Sequence, residues 1–380
     1  MTGSTPSTSK SEYYAEDGIP WVTPTDINSL IISETSRKLS EEGIKVGRVV
    51  PANTILCTCI ASIGKNALLT VKGSFNQQIN SLTPNNENDA YFLLTESELW
   101  SDKMKRMAAS GTMQIVNKAD FSELTTMVPT IGEQEKIGVY FRNLDQLITL
   151  HQRKCEDTKK LKKYMLQKMF PQNGSKVPEI RFKGFTDDWE QRKLENFGKA
   201  TGGTSIESEF SEEGVYKVIS IGSYSENSLY NDQGIRAIKS DKTSNRVLSR
   251  NDLTMILNDK TTSGNIIGRV LLIEESGIYV YNQRTERIEI NVDEYDPVFL
   301  YEMLNAPNIR EKIIKQAQGN TQIYVNWSTI SLLDYMIPSK EEQVKIGEYL
   351  HNLSNLITLH QNKCDELKKI KKYMLQNMFV

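Results

Sequence analysis

One stretch of this chain is written twice. Residues 133–170, EQEKIGVYFRNLDQLITLHQRKCEDTKKLKKYMLQKMF, return at 342–379 as EQVKIGEYLHNLSNLITLHQNKCDELKKIKKYMLQNMF, in register and without a gap, with 26 of 38 positions identical. The offset of 209 residues extends upstream, pairing Pro129 with Pro338 and Met127 with Met336, so each copy closes a longer half of the chain. Such a chain must fold as two related halves, and whatever one copy buries the other has to bury as well.

Each copy reads as one long helix. Apolar or small residues run from Leu144 through Leu147, His151, Cys155, Thr158, Leu161 and Met165 to Met169, and the second copy repeats the stripe from Leu353 to Met378. Spacings of three and four keep such residues on one helix face. Thr130 with Glu133, and Ser339 with Glu342, have the spacing of a capping box just after a proline, and lysines cluster at the far ends, where they suit the negative pole of a helix. At about 1.5 Å per residue each rod is roughly 57 Å long and cannot bury its stripe alone. An internal two-fold pairs the rods as an antiparallel coiled coil, which brings His151 and His360 together near the crossing. Lys159, Lys160, Lys162 and Lys163, with Lys368, Lys369, Lys371 and Lys372, are open to three roles, facing phosphates, facing a partner subunit, or facing only water and the helix dipole, of which the last is favoured.

The chain is long enough, at 380 residues, for two ordinary domains and their connecting helices. No apolar run reaches the length of a membrane helix and the first thirty residues lack a signal-peptide core, so cytoplasmic residence is expected. Cys57, Cys59, Cys155 and Cys364, with three histidines in all, give no zinc spacing, and reduced thiols are expected. The net charge of −2 is unevenly distributed. From Gly43 to Asn86 there are four basic residues and no acidic one; from Arg236 to Arg287 there are nine basic and six acidic. Local positive faces on an acidic remainder suit a protein that reads a polyanion by sequence.

Along the chain, residues 1–130 read as a first α/β head, with strands expected at Gly18–Ile27, Thr54–Ile63 and Ala67–Val71 and a helix at Tyr91–Ala109. Residues 131–172 are the first rod with its linker, 173–337 a second head, and 338–380 the second rod. Strands are expected in the second head at Val215–Ile221, Leu253–Leu257, Ile267–Ile273 and Ile278–Ile290, and a helix at Pro297–Gln318. The expected fold class is therefore α+β: two similar α/β domains separated and joined by two long helices that form an antiparallel coiled coil with pseudo-two-fold symmetry. Near-identical rods carrying dissimilar heads imply two recognition heads of like fold and unlike specificity. The second head opens with a segment absent from the first, Glu179–Lys193, EIRFKGFTDDWEQRK, whose Phe182, Phe185 and Trp189 are expected to pack against the rest.

The two rods, each begun through Pro-x-x-x-Glu-Gln-x-Lys-Ile-Gly, together with TGSTPS, GIPWVTPTDI and PEIRFKGFTDDWEQRKL, give the chain its resemblance to the specificity (S) subunit of type I restriction-modification enzymes. That resemblance implies a non-catalytic subunit in which each target recognition domain reads one half of a bipartite, asymmetric site in double-stranded DNA while the paired helices set the spacer. It also implies two methyltransferase (M) and two restriction/translocase (R) subunits as partners. These would use S-adenosylmethionine, ATP and Mg2+, with no cofactor in this chain itself. The first half departs from the pattern by lacking the lead-in that Pro178–Gly203 supplies to the second, so the edge of the first domain is expected to be incomplete or covered by something else.

The residues carry no catalytic set of their own. An adenine methyltransferase needs a Gly-rich cofactor turn and an Asn/Asp-Pro-Pro-aromatic loop, and the one Asp-Pro pair, Asp296-Pro297, continues with Val298-Phe299. For base reading, Arg or Lys suits guanine and Asn or Gln suits adenine. The candidates are Thr5, Ser7, Trp21, Lys65, Gln77, Gln78, Gln114 and Lys118 in the first head. In the second they are Thr204, Tyr224, Lys260, Arg269, Gln283, Arg284, Arg287, Gln322 and Tyr324. The rival reading is a structural coiled-coil scaffold with two binding heads and no DNA specificity.

Overall fold

The computed structural model describes residues 1–109, 115–172, 174–260 and 263–379. The chain divides into two units, residues 1–152 with 361–380 and residues 153–360. Each long helix, Ile131–Lys168 and Lys340–Met378, passes from one unit into the other. Each unit therefore consists of one head, the first half of one rod and the last half of the other.

In the first unit the central strand Thr54–Thr58 lies antiparallel between Asn66–Leu69 and Ile79–Leu82, with Ile31–Ile32 at the far edge. All five of its residues are buried, as suits a run rich in Thr, Ile and Leu at the middle of a sheet. A second sheet runs Lys38–Leu39, Tyr14–Val22, Gly73–Phe75, Val49–Val50. The first of the expected strands thus lies at Tyr14–Val22 rather than Gly18–Ile27: Thr23 starts a turn in which Asp26 accepts from both its amide and its hydroxyl. The helix Ala90–Ala109 is started by Asp89, whose carboxylate accepts from the Phe92 amide at 2.7 Å. Against it pack Ile137, Phe141, Leu144 and Ile148 of the first rod and Cys364, Leu367 and Leu375 of the second.

The second unit repeats this plan. Leu253–Ile256 lies antiparallel between Val270–Leu272 and Thr285–Ile290, and Tyr216–Ile219 pairs in parallel with Tyr279–Tyr281, as Tyr14–Val22 does with Gly73–Phe75. The expected helix at Pro297–Gln318 is two helices, Pro297–Asn305 and Pro307–Ile314. Pro307 cannot donate to the preceding turn and begins a new helix at its first position. Met169 and Phe170 at the end of the first rod share a core with Ile346, Leu350 and Leu353 near the start of the second. In both units the start of one rod therefore lies beside the end of the other, which is antiparallel pairing.

Three expectations for the rods are corrected. Leu147, Leu161, Leu356 and Ile370 are exposed, whereas Ile137, Phe141 and Ile148 are buried. The packed face of the first rod runs 137, 141, 144, 148, 155, a four-three alternation that lies one position away from the row of leucines. The capping box forms only in part: the Glu342 amide donates to Ser339 Oγ at 3.4 Å, but the Glu342 carboxylate accepts instead from Arg181 Nε and Nη2 at 2.7 and 2.8 Å. Finally, two of the clustered lysines do not face water. Lys162 Nζ lies 2.8 Å from Glu302 and 2.6 Å from Ser354 Oγ, and Lys371 Nζ lies 2.8 Å from Asp145 beside Glu98. Burial acts to lower the Lys371 pKa, but Glu98 and Asp145 outweigh it and the net shift is upward.

A glutamine builds the same joint in each unit. Gln134 bridges Pro129 O and the Asp89 amide at 2.9 and 3.0 Å; Gln343 bridges Pro338 O and the Asp296 amide at 3.0 and 2.9 Å. Four residues along, Gly138 and Gly347 lie so close to those aspartates that an added Cβ would meet Asp89 Oδ1 at 2.4 Å and Asp296 Oδ1 at 2.8 Å. Both features belong to the repeated motif Glu-Gln-x-Lys-Ile-Gly, which thereby docks each rod onto its own head. The four cysteines are buried thiols.

Candidate nucleic-acid interface

In the second head, backbone pairing gathers several candidates at one end of the central sheet. The Leu257 amide donates to Arg284 O and the Val325 amide to Leu257 O, both at 2.9 Å, while Asn258–Asp259 pairs with Ile323–Tyr324. Lys260, Arg284, Gln322 and Tyr324, all exposed, therefore sit on neighbouring strand ends. The Gly203 amide donates to Thr285 O at 2.8 Å and the Ile206 amide to Asn282 Oδ1 at 3.1 Å, which draws Thr204 and Gln283 to the same rim. Asn282 is thus buried and its neighbour Gln283 exposed, with its amide 3.3 Å from Glu207. Arg284 has φ of 72°, a conformation that costs a non-glycine residue about 1 kcal/mol or more and tends to persist where function keeps it.

The first head repeats the arrangement with other side chains. The Cys59 amide donates to Gln78 O at 2.9 Å and the Val116 amide to Cys59 O at 3.0 Å, while Gly3 and Ser4 donate to Ile79 O and Phe75 O, each at 3.0 Å. Thr5, Gln77, Gln78 and Lys118 are brought together by these bonds. Exposed Lys65 follows the turn after Thr58, whose amide donates to its carbonyl at 2.9 Å. Ser7 shares a hydrogen bond with Ser9 in an exposed turn. Gln114 lies outside the described residues.

Four candidates are not rim residues. Trp21 is 2% exposed, with its indole NH donating to Ser4 O, and Tyr224 is buried in a core of the second head. Arg269 is held by Asn265 O and Ser228 Oγ, and Arg287 by Asp252 at 2.9 Å. The two aromatics fill cores and the two cations neutralise or cap groups within the fold.

Two further arginines belong to the rims. Arg48 Nη1 donates to Thr2 O at 2.6 Å, and Arg246 donates to Gly202 O at 2.7 Å and to Thr204 Oγ1 at 3.0 Å. Each clamps the edge turn of its head and leaves a cation at the rim. The positive field is felt locally: burial first, then Lys118 and Arg48, lower the pKa of the Met1 ammonium. In the second head the Glu286 carboxyl is pushed up to about 7 by burial, with Arg246 opposing.

Among the described residues there is no cluster of His, Cys, Asp and Glu that could hold a metal ion, and no helix is long and apolar enough to cross a membrane.

The family model for the type I restriction modification DNA specificity domain matches residues 2–159 and 186–369, once in each half of the chain. The chain is 25% identical over 341 residues to the type I restriction enzyme MjaVIII specificity subunit of Methanocaldococcus jannaschii, covering 86% of this chain and 78% of that one. It is 28% identical over 159 residues to the HindI specificity subunit of Haemophilus influenzae, 39% of this chain and 34% of the relative. The solved S subunit of the type I restriction-modification system from M. genitalium superposes with a TM-score of 0.67 at 15% identity, over 100% of this chain and 93% of that one, a likeness of fold. With two matched halves, two heads that share the order of their three central strands and twin rods paired antiparallel, the chain belongs to the type I restriction-modification specificity (S) subunits.

Proposed function

We propose that this subunit supplies sequence recognition to a type I complex. Each head reads one half of a bipartite, asymmetric site in double-stranded DNA, and the paired rods set the spacer and hold the methyltransferase subunits. The observation that carries this reading is the contrast between frame and rim. The order of the three central strands, the parallel pair, the glutamine joint and the arginine clamp recur in both heads, yet the side chains at equivalent rim positions differ, as with half-buried Gln78 and exposed Arg284. Equivalent frames with unlike hydrogen-bonding groups are what reading two different half-sites requires. In the first head we assign Thr5, Gln77, Gln78, Lys65, Lys118 and Arg48 to the DNA-facing rim; in the second, Thr204, Arg246, Lys260, Gln283, Arg284, Gln322 and Tyr324.

The rods support two like partners. Leu147, Leu150, Leu161 and Tyr164 of the first are exposed, as are Leu356, Leu359, Ile370 and Tyr373 at the equivalent positions of the second. Each unit thereby carries the same four kinds of apolar contact, two from each rod, which suits two M subunits. Two R subunits complete the complex. S-adenosylmethionine, ATP and Mg2+ belong to those partners, which work with this chain in the cytoplasm.

Mapping N6-methyladenine in DNA exposed to the M–S mixture tests the reading. Methylation confined to a bipartite motif is expected, and replacing the rim of one head should change one half of that motif alone. Methylation without sequence preference would favour the scaffold alternative.

A further inference from the structure

In each head a helix holds the hairpin that reaches the rim, but the two holds differ. In the first head, residues 59–65 join Thr54–Thr58 to Asn66–Leu69, and Ser101 of the helix Ala90–Ala109 donates from Oγ to Gly64 O at 2.6 Å. Thr58 closes that turn from within, its carbonyl accepting from the Gly64 amide at 3.0 Å. In the second head the corresponding connection is longer, residues 257–269 between Leu253–Ile256 and Val270–Leu272. There the helix Pro307–Ile314 supplies a guanidinium. Arg310 donates from Nε to Ile267 O at 2.8 Å and from Nη2 to Gly264 O and Asn265 O, each at 2.7 Å.

Arg310 is 8% exposed and forms no ion pair among the described residues. Burial pushes its pKa down to about 10, Arg269 acts the same way, and Asp259 and Glu226 oppose, so the group stays charged at neutral pH. A buried cation is costly, and exchanging buried charge for apolar packing is often neutral or stabilising. What the guanidinium gives in return is geometry: a rigid planar fork fixes carbonyls along one segment together, which neither a hydroxyl nor an ammonium does. That segment lies against the rim. The Ile266 amide donates to Asp259 Oδ2 at 3.3 Å, and Gly264, with φ of 67°, lies so near Ile323 that an added Cβ would meet its Cδ1 at 2.9 Å. Asp259 and Ile323 face each other in the paired strands Asn258–Asp259 and Ile323–Tyr324, and one further step of that register sets exposed Lys260 opposite exposed Gln322.

We propose that Arg310 is a positioning residue for sequence reading: by holding Gly264, Asn265 and Ile267 it fixes where Lys260, Gln322 and Tyr324 meet the second half-site. The inference rests on the reading of that rim as DNA-facing. Groups that discriminate by hydrogen bonding work only when held to within about 0.5 Å of their productive geometry, and Arg310 provides that support from behind without touching DNA. The first head, with its shorter connection, obtains the same support from one hydroxyl.

Mapping N6-methyladenine with M–S complexes that carry Arg310→Ala or Arg310→Lys tests this. The readout is the ratio of methylation at the preferred motif to methylation at single-base variants of each half-site. In both variants that ratio should fall about 10-fold or more for the second half-site and keep the parent value for the first, while amide exchange quickens at 258–260 and 264–267. Guanidinium chloride at a non-denaturing concentration should restore the ratio in Arg310→Ala, and the same concentration of sodium chloride should not. If circular dichroism shows that Arg310→Ala unfolds, Arg310→Lys carries the comparison. An unchanged second-half ratio in a folded variant, equal falls in both half-sites, or a fall that the two salts alter alike overturns the inference. A parent complex without bipartite preference would overturn the underlying reading of the heads instead.

Discussion

Glu133 and Glu342 occupy the same place in nearly the same helix, yet one is exposed and the other fully buried against Arg181. The difference lies outside the repeat. The second rod meets a segment that carries a guanidinium, and the first rod meets none among the described residues. Identical local sequence thus sets the same helix and the same glutamine joint in both places, but the environment of any one side chain is decided by what the rest of the chain brings to it.

That contrast predicts the largest effect. Glu342→Ala leaves Arg181, itself only 15% exposed, without its carboxylate, and removing one partner of a buried ion pair costs about 3–5 kcal/mol. Glu133→Ala, at an exposed position, should stay within about 0.5 kcal/mol of the parent. Urea denaturation with amide exchange resolved by unit measures both. Equal losses in the two variants would show that the exposed glutamate is engaged after all.

The paired lysines sharpen the comparison. Lys371 sits between two carboxylates, Glu98 and Asp145, whereas the equivalent Lys162 has one, Glu302, with Ser354 in place of the second. Asp145→Ser gives the first unit the second unit's arrangement and should cost about 1–2 kcal/mol, because Glu98 remains to neutralise the lysine. Tyr91, whose hydroxyl donates to Asp145 at 3.0 Å, loses that partner too, so the change in tyrosine environment provides a second readout.

The frame is legible in the sequence because it is repeated: two nearly identical helices 209 residues apart can be seen without any structure. The rims are half legible. Asn76-Gln77-Gln78 and Asn282-Gln283-Arg284 recur after the central strands of the two heads, and Gln77, Gln78, Gln283 and Arg284 do sit at the strand ends. Arg48 and Arg246 escape that reading, although a signal exists. Arg-Val-Val-Pro-Ala-Asn at 48–53 and Arg-Val-Leu-Ser-Arg-Asn at 246–251 repeat at a different offset, 198, and end on Asn53 and Asn251, both with positive φ. The two offsets differ because the loops between strands differ in length, so a single-offset comparison passes over the match. Trp21 and Tyr224 mislead because an aromatic looks the same in sequence whether it stacks on a base or fills a core. Arg181 cannot be assigned its partner from sequence, since the contact spans segments 161 residues apart.

Each head also holds one carboxyl whose pKa burial raises to about 7: Glu96 in the first, with Lys103 opposing, and Glu286 in the second, with Arg246 opposing. A folded-state pKa above the ordinary value favours the protonated acid, so stability is greatest below the unfolded pKa and falls as pH rises through about 7. Allowing for solvent screening, each should cost about 1–2 kcal/mol across that window. Glu286→Gln should flatten the fall for the second unit only and Glu96→Gln for the first only, as thermal melts at pH 5 and pH 8 would record. A fall that persists unchanged in both variants would place the titration elsewhere.

The change that costs the fold least carries the most information about function. Gln78 and Arg284 hold equivalent rim positions, each with its carbonyl accepting from the strand beside it. A glutamine amide matches the N6–N7 edge of adenine, and a guanidinium matches the O6–N7 edge of guanine. Arg284→Gln should therefore shift preference at one base pair of the second half-site from guanine toward adenine, at about 1–3 kcal/mol for the original base, with the first half-site untouched. A glutamine placed at 284 meets the same left-handed φ that the arginine already adopts, so the substitution adds no new strain. Lys260→Gln serves as the contrast: if exposed Lys260 holds a phosphate, taking away its charge should weaken every sequence alike and lower the dependence of binding on salt. Motif mapping of the two variants side by side separates reading from grip, and a uniform weakening in both would mean that Arg284 only holds the backbone.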